Sequence, residues 1–442
     1  MSDVPSPASS PSPTGGPPRF VRALRSRNYR VFFYGQIVSL VGTWMTTTAS
    51  LWLAYHLTSS APLLGLVGFA GQIPIFFLSP LAGVFVDRTD KRRLLLITQS
   101  LALLQSAALA VLALTGTVTV WWLVGLNVFQ GIINAYDMTC RQAFVIQLVD
   151  KREDLGNAIA LNSSMFNLAR LLGPAVGGLL IRFVGAGWCY TIDAVSYVAV
   201  ILSLTQITPR LIERTGPVVA RSFGRTLAEL GAGFKYAFGF APIGNLILLV
   251  AATAFTGFAA PVVMPIFARD IFGGDASTLG WLMSASGIGA LAGAIYLSTR
   301  TGVRGLGRVI TAGGLAMGTG WIGCALCRTL EPALLCLTCV GAGGVLLMAS
   351  SNTVVQSLVD EDKRGRVMSL FAMAFTGTTP LGNLVIGHLA GGRVGLRATV
   401  VGCGVGCVLC ALGFLARLPR LRIEARPRLD ALESVAEETA TT

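Results

Sequence analysis

Apolar runs of twenty or more residues recur along almost the whole chain, each broken by a short group of Arg, Lys, Asp, Gly or Pro. A helix rises about 1.5 Å per residue, so about 20 such residues cross a hydrocarbon layer of roughly 30 Å. The pattern predicts an all-α membrane protein with twelve transmembrane helices, over 31–55, 62–86, 94–115, 119–145, 156–181, 188–208, 241–266, 279–299, 308–328, 332–355, 367–390 and 395–416. Residues 1–30 are expected to be a disordered tail, because SDVPSPASSPSPTGGPP is too rich in Pro, Ser and Gly to bury a core. The first apolar run is too long for a cleaved signal peptide and is kept as the first span. A basic loop, 209–240, separates six spans in 31–208 from six in 241–416, and 417–442 form a second tail.

The two sets of six repeat each other. LAGVF at Leu81 returns as LAGAI at Leu291, and QLVDKREDLGNAIAL from Gln147 returns as SLVDEDKRGRVMSL from Ser357, each 210 residues later. Gly173 and Gly178 fall on Gly382 and Gly387. Two six-helix halves repeated in parallel are an arrangement of one class of secondary transporter.

Composition changes this picture little. The chain is 53% hydrophobic and 12% charged, against roughly 25% charged in soluble domains. The net charge of +13 could point to nucleic acid, but 27 of the 34 Lys and Arg lie in the tails, the central link and alternate loops. That distribution is the positive-inside signature, which places both termini in the cytoplasm of a multi-pass plasma-membrane protein and makes the bilayer, not nucleic acid, the partner. Cys324/Cys327 and Cys336/Cys339 have zinc-like CxxC spacing. They sit in WIGCALC and LLCLTCV with no polar support, so they are read as packing residues, with no metal and no cofactor. His56 and His388 stand alone, and no phosphate-binding or hydrolase motif is present.

The densest polar feature is the loop between spans 2 and 3, where six of the seven residues from Asp87 to Arg93 are charged. Topology accounts for Lys91, Arg92 and Arg93 but not for Asp87. An acid at a helix end beside Arg88 can face the amino end of a neighbouring helix, and Gly83, one turn back, lets that neighbour approach. Gly83, Asp87, Arg88 and Arg92 are therefore read as a conformational latch. GVFVDRTDKRR resembles the loop 2–3 signature of the major facilitator superfamily, GxxxDRxGR(R/K), with Asp90 in place of the usual Gly. In that family the Asp and Arg stabilise the outward-facing state. The second-half copy, LAGAIYLSTRTGVRGLGR, lacks the Asp, which makes the latch one-sided.

In span 5, ARLLGPAVGG holds Gly173, Pro174, Gly177 and Gly178. Pro kinks the helix and the glycines admit a close partner. The segment resembles the antiporter motif that marks exporters of the superfamily. VFQGIINAYDMTCRQAF and NLARLLGP are similar to the siderophore and macrolide exporters of its enterobactin-exporter-like branch.

Ionisable residues within spans are candidates for function. Asp137 and Arg141 share a face of span 4, with Arg170 on span 5; they are either a proton or substrate-charge site or a fixed ion pair. Span 4 carries Asn127 where proton antiporters of the family commonly have Arg, and span 1 lacks an acid. Coupling to protons is thus implied by the resemblance, with Asp137 its best residue candidate beside Arg141 and Arg170. On span 1, Gln36, Ser39, Thr43, Thr47 and Ser50 recur at helical spacing. They line either a cavity, with Trp44 and Met45 as apolar substrate contacts, or another helix; Asn127, Gln130, Asn134, Asn162 and Asn167 are candidates for the same cavity.

The expected molecule is a monomeric exporter of a small amphipathic compound (a drug, antibiotic or siderophore), working by alternating access as a proton antiporter. An importer of the same fold, a membrane-embedded lipid-modifying enzyme and a non-transporting sensor are the alternatives.

Overall fold

The computed structural model describes residues 19–208, 223–300 and 302–441. Thirteen helical segments follow one another, with no strand among the described residues. In the first half these are α1 (Arg27–Thr58), α2 (Ala61–Arg88), α3 (Lys91–Leu114), α4 (Val120–Leu148), α5 (Leu155–Val184) and α6 (Ala186–Gln206). Helix α7 (Phe223–Gly239) belongs to the link. The second half holds α8 (Ala241–Ile271), α9 (Ala276–Ser298), α10 (Leu306–Leu326), α11 (Leu330–Leu358), α12 (Arg364–Gly391) and α13 (Leu396–Thr441). Eleven of the described helices are long and apolar enough to cross a membrane. Helix α4 is the twelfth: at 29 residues it is as long as the others, but Asn127, Gln130, Asn134, Asp137 and Arg141 lower its hydropathy. It packs between α2 and α3 all the same.

Short connections make sequential helices antiparallel. Ser59 closes α1 in the left-handed region (φ 48°), donating its N–H to the Tyr55 carbonyl, and α2 begins two residues later. Asp90 accepts the Arg93 N–H at 2.8 Å and so caps α3. The departure from the family's Gly at that position is thus a helix cap. The expected tail 1–30 is described only from residue 19. Arg19–Arg25 form a 3-10 turn held by Ala23 N–H to Asn157 Oδ1 (2.8 Å) and by the Arg22–Asp154 ion pair, and α1 starts at Arg27. Residues 209–222 of the link lie outside the described residues.

Helix α8 is irregular in the middle. Pro261 has no N–H for the Gly257 carbonyl, and the backbone turns through wider and tighter segments from Ala254 to Val263. The freed carbonyl accepts the indole N–H of buried Trp321 at 3.0 Å. The repeat read from the sequence has a structural counterpart. A methyl group at Gly173 of α5 would lie 2.4 Å from Trp44 Cβ of α1, and one at Gly382 of α12 would lie 2.1 Å from the Phe255 carbonyl of α8.

Candidate transport site

The halves meet on the side of the molecule away from the termini, here called the far side. There α5 crosses α9 with no side chains between them: a methyl at Gly178 would lie 2.5 Å from the Ala276 carbonyl and 3.0 Å from Gly280 Cα. The related crossing joins α2 to α12, where a methyl at Gly65 would lie 2.5 Å from the Asn383 carbonyl and one at Gly387 2.8 Å from Gly65 Cα. Of the exporter-like motif, Gly173 and Gly177 admit Trp44 and Met45 of α1, and Gly178 makes the crossing between halves. Pro174 is buried in α5, and its carbonyl would lie 2.5 Å from a methyl at Gly280.

Polar contacts fasten the same end. Tyr55 at the end of α1 donates to Asp270 of α8, while Arg269 reaches Ser59 Oγ (3.2 Å) and lies over the Tyr55 ring at 5.6 Å. Arg182 of α5 pairs with Asp275 before α9 at 3.2 Å and touches Ser277 Oγ at 3.4 Å. Burial alone would raise the Asp275 carboxyl. Hydrogen bonds from the Ser277 hydroxyl and N–H, with the Arg182 charge, hold it below the usual carboxylate range instead. These fasteners join residues distant in sequence, and sequence reasoning missed them.

The terminal side is different. Asp87 and Arg88 are exposed and have no ion pair or hydrogen bond among the described residues, and a methyl at Gly83 would meet nothing within 4 Å. The latch is open. Arg92 does not belong with it: its Nε and Nη2 donate to the Leu204 and Thr205 carbonyls (2.8 and 2.7 Å), capping α6 within the same half.

Asp137 and Arg141 do form an ion pair. Asp137 also accepts from Thr98 Oγ1 (3.0 Å) and Gln99 Nε2 (2.7 Å) of α3, and Arg141 donates to Gln36 of α1. Arg170 has no ion pair or hydrogen bond to this cluster among the described residues; its guanidinium lies 5.9 Å from the Trp44 ring centroid. Of the expected cavity residues, Gln36 and Met45 are 1% and 2% exposed and face packed helices, so neither lines open space in this conformation. The polar stripe of α1 is divided: Gln36, Ser39 and Ser50 turn into their own half, where Ser50 meets Tyr190 at 2.9 Å, while Thr47 is exposed. Thr43, Trp44, Asn127, Gln130, Asn134, Asn162 and Asn167 are all partly exposed. Gln130 bonds Asn134 (3.1 Å), and Asn162 accepts from Tyr29 (3.1 Å).

A cavity of about 430 Å³ lies between α11 and α12, lined chiefly by Met348, Met368, Phe371 and Phe375, with Asn352 and Thr376 as its polar groups. Phe258, from the irregular part of α8, packs edge-on against Phe375 at 5.1 Å. Flexible Met and aromatic side chains adapt to apolar ligands of different shape. Sequence reasoning missed this wall because all its residue types are ordinary in a membrane span. It also missed Asp193, a lone acid in the apolar run WCYTIDAVSYV, which intramembrane charge alone should have marked.

Two parallel six-helix halves, sealed at one end around partly exposed helix faces, define a secondary transporter of the major facilitator superfamily and not an enzyme. Within it, the chain belongs to the transmembrane secretion effector family, whose model matches residues 21–439. It is 26% identical over 399 residues to the staphyloferrin A transporter of Staphylococcus aureus, covering 89% of this chain and 98% of that protein. It is 27% identical over 414 residues to the multidrug efflux pump Tap of Mycolicibacterium fortuitum, covering 90% and 98%. To macrolide efflux protein A of Streptococcus pyogenes the identity is 24% over 390 residues, covering 84% and 92%. Among solved structures, a bacterial homologue of the lysosomal transporter Spinster in an inward-facing, unoccupied conformation superposes with a TM-score of 0.67 at 14% identity, over 92% of this chain and 98% of that one.

Proposed function

We propose that this transporter exports a small amphipathic compound across the plasma membrane in exchange for protons, as a monomer with both termini in the cytoplasm. The observation that carries the reading is the asymmetry of the two ends. With the termini inside, the far side is sealed by glycine crossings and ion pairs while the latch at Asp87 is open, which is the state that loads cargo from the cytoplasm. The Met- and Phe-lined wall of α11 and α12, with partly exposed Asn and Gln on α4 and α5, suits cargo with an apolar body and a few polar groups. Relatives named for multidrug efflux, macrolide efflux and staphyloferrin A transport support a drug, antibiotic or siderophore as the class. Alternating access would follow from rocking one half on the other about the two crossings.

Everted membrane vesicles with ethidium as probe test direction and coupling together. Vesicles containing the protein should accumulate the dye when their interior is acid and lose it when the gradient is collapsed. Uptake into right-side-out vesicles instead would make the protein an importer.

A further inference from the structure

We propose that Asp193 of α6 carries the coupling proton, an inference that rests on proton-driven export as the function. Asp193 is 3% exposed and lies seven residues inside α6, about 10 Å from its far-side end at 1.5 Å per residue. Its Oδ2 shares one hydrogen bond with Ser106 Oγ of α3 at 2.9 Å, and its Oδ1 is buried with no partner among the described residues. Among the described residues no cation pairs with it. Helix α1 faces it with Gly42, where a methyl group would come within 2.4 Å of Oδ1, and α3 faces it with Ser106. On α6 itself the titratable neighbours are Cys189, which leans toward the Gly177 carbonyl of α5, Tyr190, which bonds Ser50 of α1, and Tyr197 one turn on. All three are neutral. Beyond Tyr197 the charged groups are Asp137 and Arg141 of α4, which already satisfy each other. Arg92 is committed to the end of α6 and Arg182 to Asp275.

An ionised carboxylate this deep with one hydroxyl for company is far less stable than the neutral acid. Asp193 therefore holds a proton in this conformation, on Oδ2, where the Ser106 hydroxyl can accept it while donating its own proton to the Tyr190 carbonyl at 3.1 Å. Asp137 is differently placed: a guanidinium, a hydroxyl and an amide all reach its carboxyl oxygens. The sequence singles out Asp137, but the structure moves the proton to α6.

Position couples that proton to transport. Gly42 separates Asp193 from the rest of α1, and α1 is also the helix fastened to the other half through Tyr55 and Ser59, with Thr48 Oγ1 3.6 Å from Met283 of α9. When those fasteners part, α1 shifts and the contact over Oδ1 loosens. Water can then take or return the proton through the neighbouring Thr43 and Tyr197. Nothing covalent forms or breaks except one O–H bond, with water as the proton's partner.

Infrared spectroscopy of the full chain in lipid nanodiscs reads the proton without any cargo. Wild type at neutral pH should show the carbonyl stretch of a protonated carboxylic acid, shifted in deuterium oxide. Asp193→Asn should remove the band, Asp193→Glu should move it, and Asp137→Asn should leave it in place. A band that persists in Asp193→Asn, or one lost in Asp137→Asn, overturns the assignment. In everted vesicles Asp193→Asn should also lose gradient-driven ethidium accumulation while Asp193→Glu keeps part of it; undiminished accumulation in Asp193→Asn overturns the coupling role. If the band belongs to Asp193 but wild-type vesicles ignore the gradient, proton antiport as the function is what fails, and the coupling role falls with it.

Discussion

At the scale of single residues, the most exacting positions are those without side chains. Gly178 can touch α9 only because no Cβ stands between the backbones. Gly178→Val should wedge the crossing open by about 1–3 kcal/mol, the usual penalty for overpacking, which is roughly a 5- to 150-fold shift away from far-side closure. Labelling of Thr48→Cys, a fully buried site, by an impermeant maleimide added on the far side should rise accordingly above the native-cysteine background. Gly156→Val on the same helix is the control, since a Cβ there meets nothing within 4 Å, and labelling should not change. The sequence marked Gly173, Pro174, Gly177 and Gly178 as one motif, and each is indeed buried against another helix or at the crossing. It could not say which helix each would meet, because a small residue advertises closeness and not a partner. Asp90 was legible only as a departure from a pattern; its role as a cap depends on where α3 starts.

At the scale of elements, the link is more than a tether. Tyr236 of α7 donates to Asp360 (2.8 Å), accepts from Arg428 (2.8 Å), and lies under Lys363 at 4.8 Å. It thereby ties α7 to the α11–α12 connection and to the extension of α13. The first half is held in a similar way, with Ser26 Oγ accepting the Asp150 N–H at 3.1 Å much as Tyr236 accepts that of Asp360 at 3.4 Å. The Tyr236 hydroxyl is the first cause holding the Asp360 carboxyl below its ordinary range, with Arg428 and Lys363 adding to it. Tyr236→Phe should therefore loosen α7, seen as several-fold faster amide exchange over Phe223–Gly239 with the spans unchanged; exchange that is unaltered would mean the apolar face of α7 suffices. Span positions were legible because lipid demands long apolar runs, and α4 was recognised as a span despite its polar residues. The irregular centre of α8 was not, since Pro261 foretells a freed carbonyl but not that Trp321 would answer it.

At the scale of the whole molecule, one end is fastened, and at the other Asp87 and Arg88 stand exposed with no pairing among the described residues. The carboxyl of Asp275 is lowered in the folded state, so its contribution to closure is complete above the ordinary carboxylate pKa of about 3.9 and is lost only as pH falls through the lowered value. Spin-label distances between the far ends of α5 and α9 should thus be constant from neutral pH to about 4 and lengthen below it. Asp275→Asn should lengthen them at neutral pH, though modestly, because both partners are about half exposed and such a pair contributes at most ~1 kcal/mol. The division into halves and their parallel repeat could be read from the chain because the same spacing recurs 210 residues on. The conformation could not, because Asp87 has the same neighbours in sequence whether or not it meets the other half.

The two glycine crossings have a bearing on the energy of switching. At the crossings backbone meets backbone, but one cluster of buried apolar side chains, with Met45, Leu64 and Ile181 from the first half and Val262, Phe267 and Leu279 from the second, surrounds them and would be exposed on parting. Most backbone groups at the crossings keep their hydrogen bonds within their own helices in either state. Opening the far side therefore means uncovering that apolar surface as well as parting the fasteners, and the glycine crossings lighten the work only where backbone touches backbone.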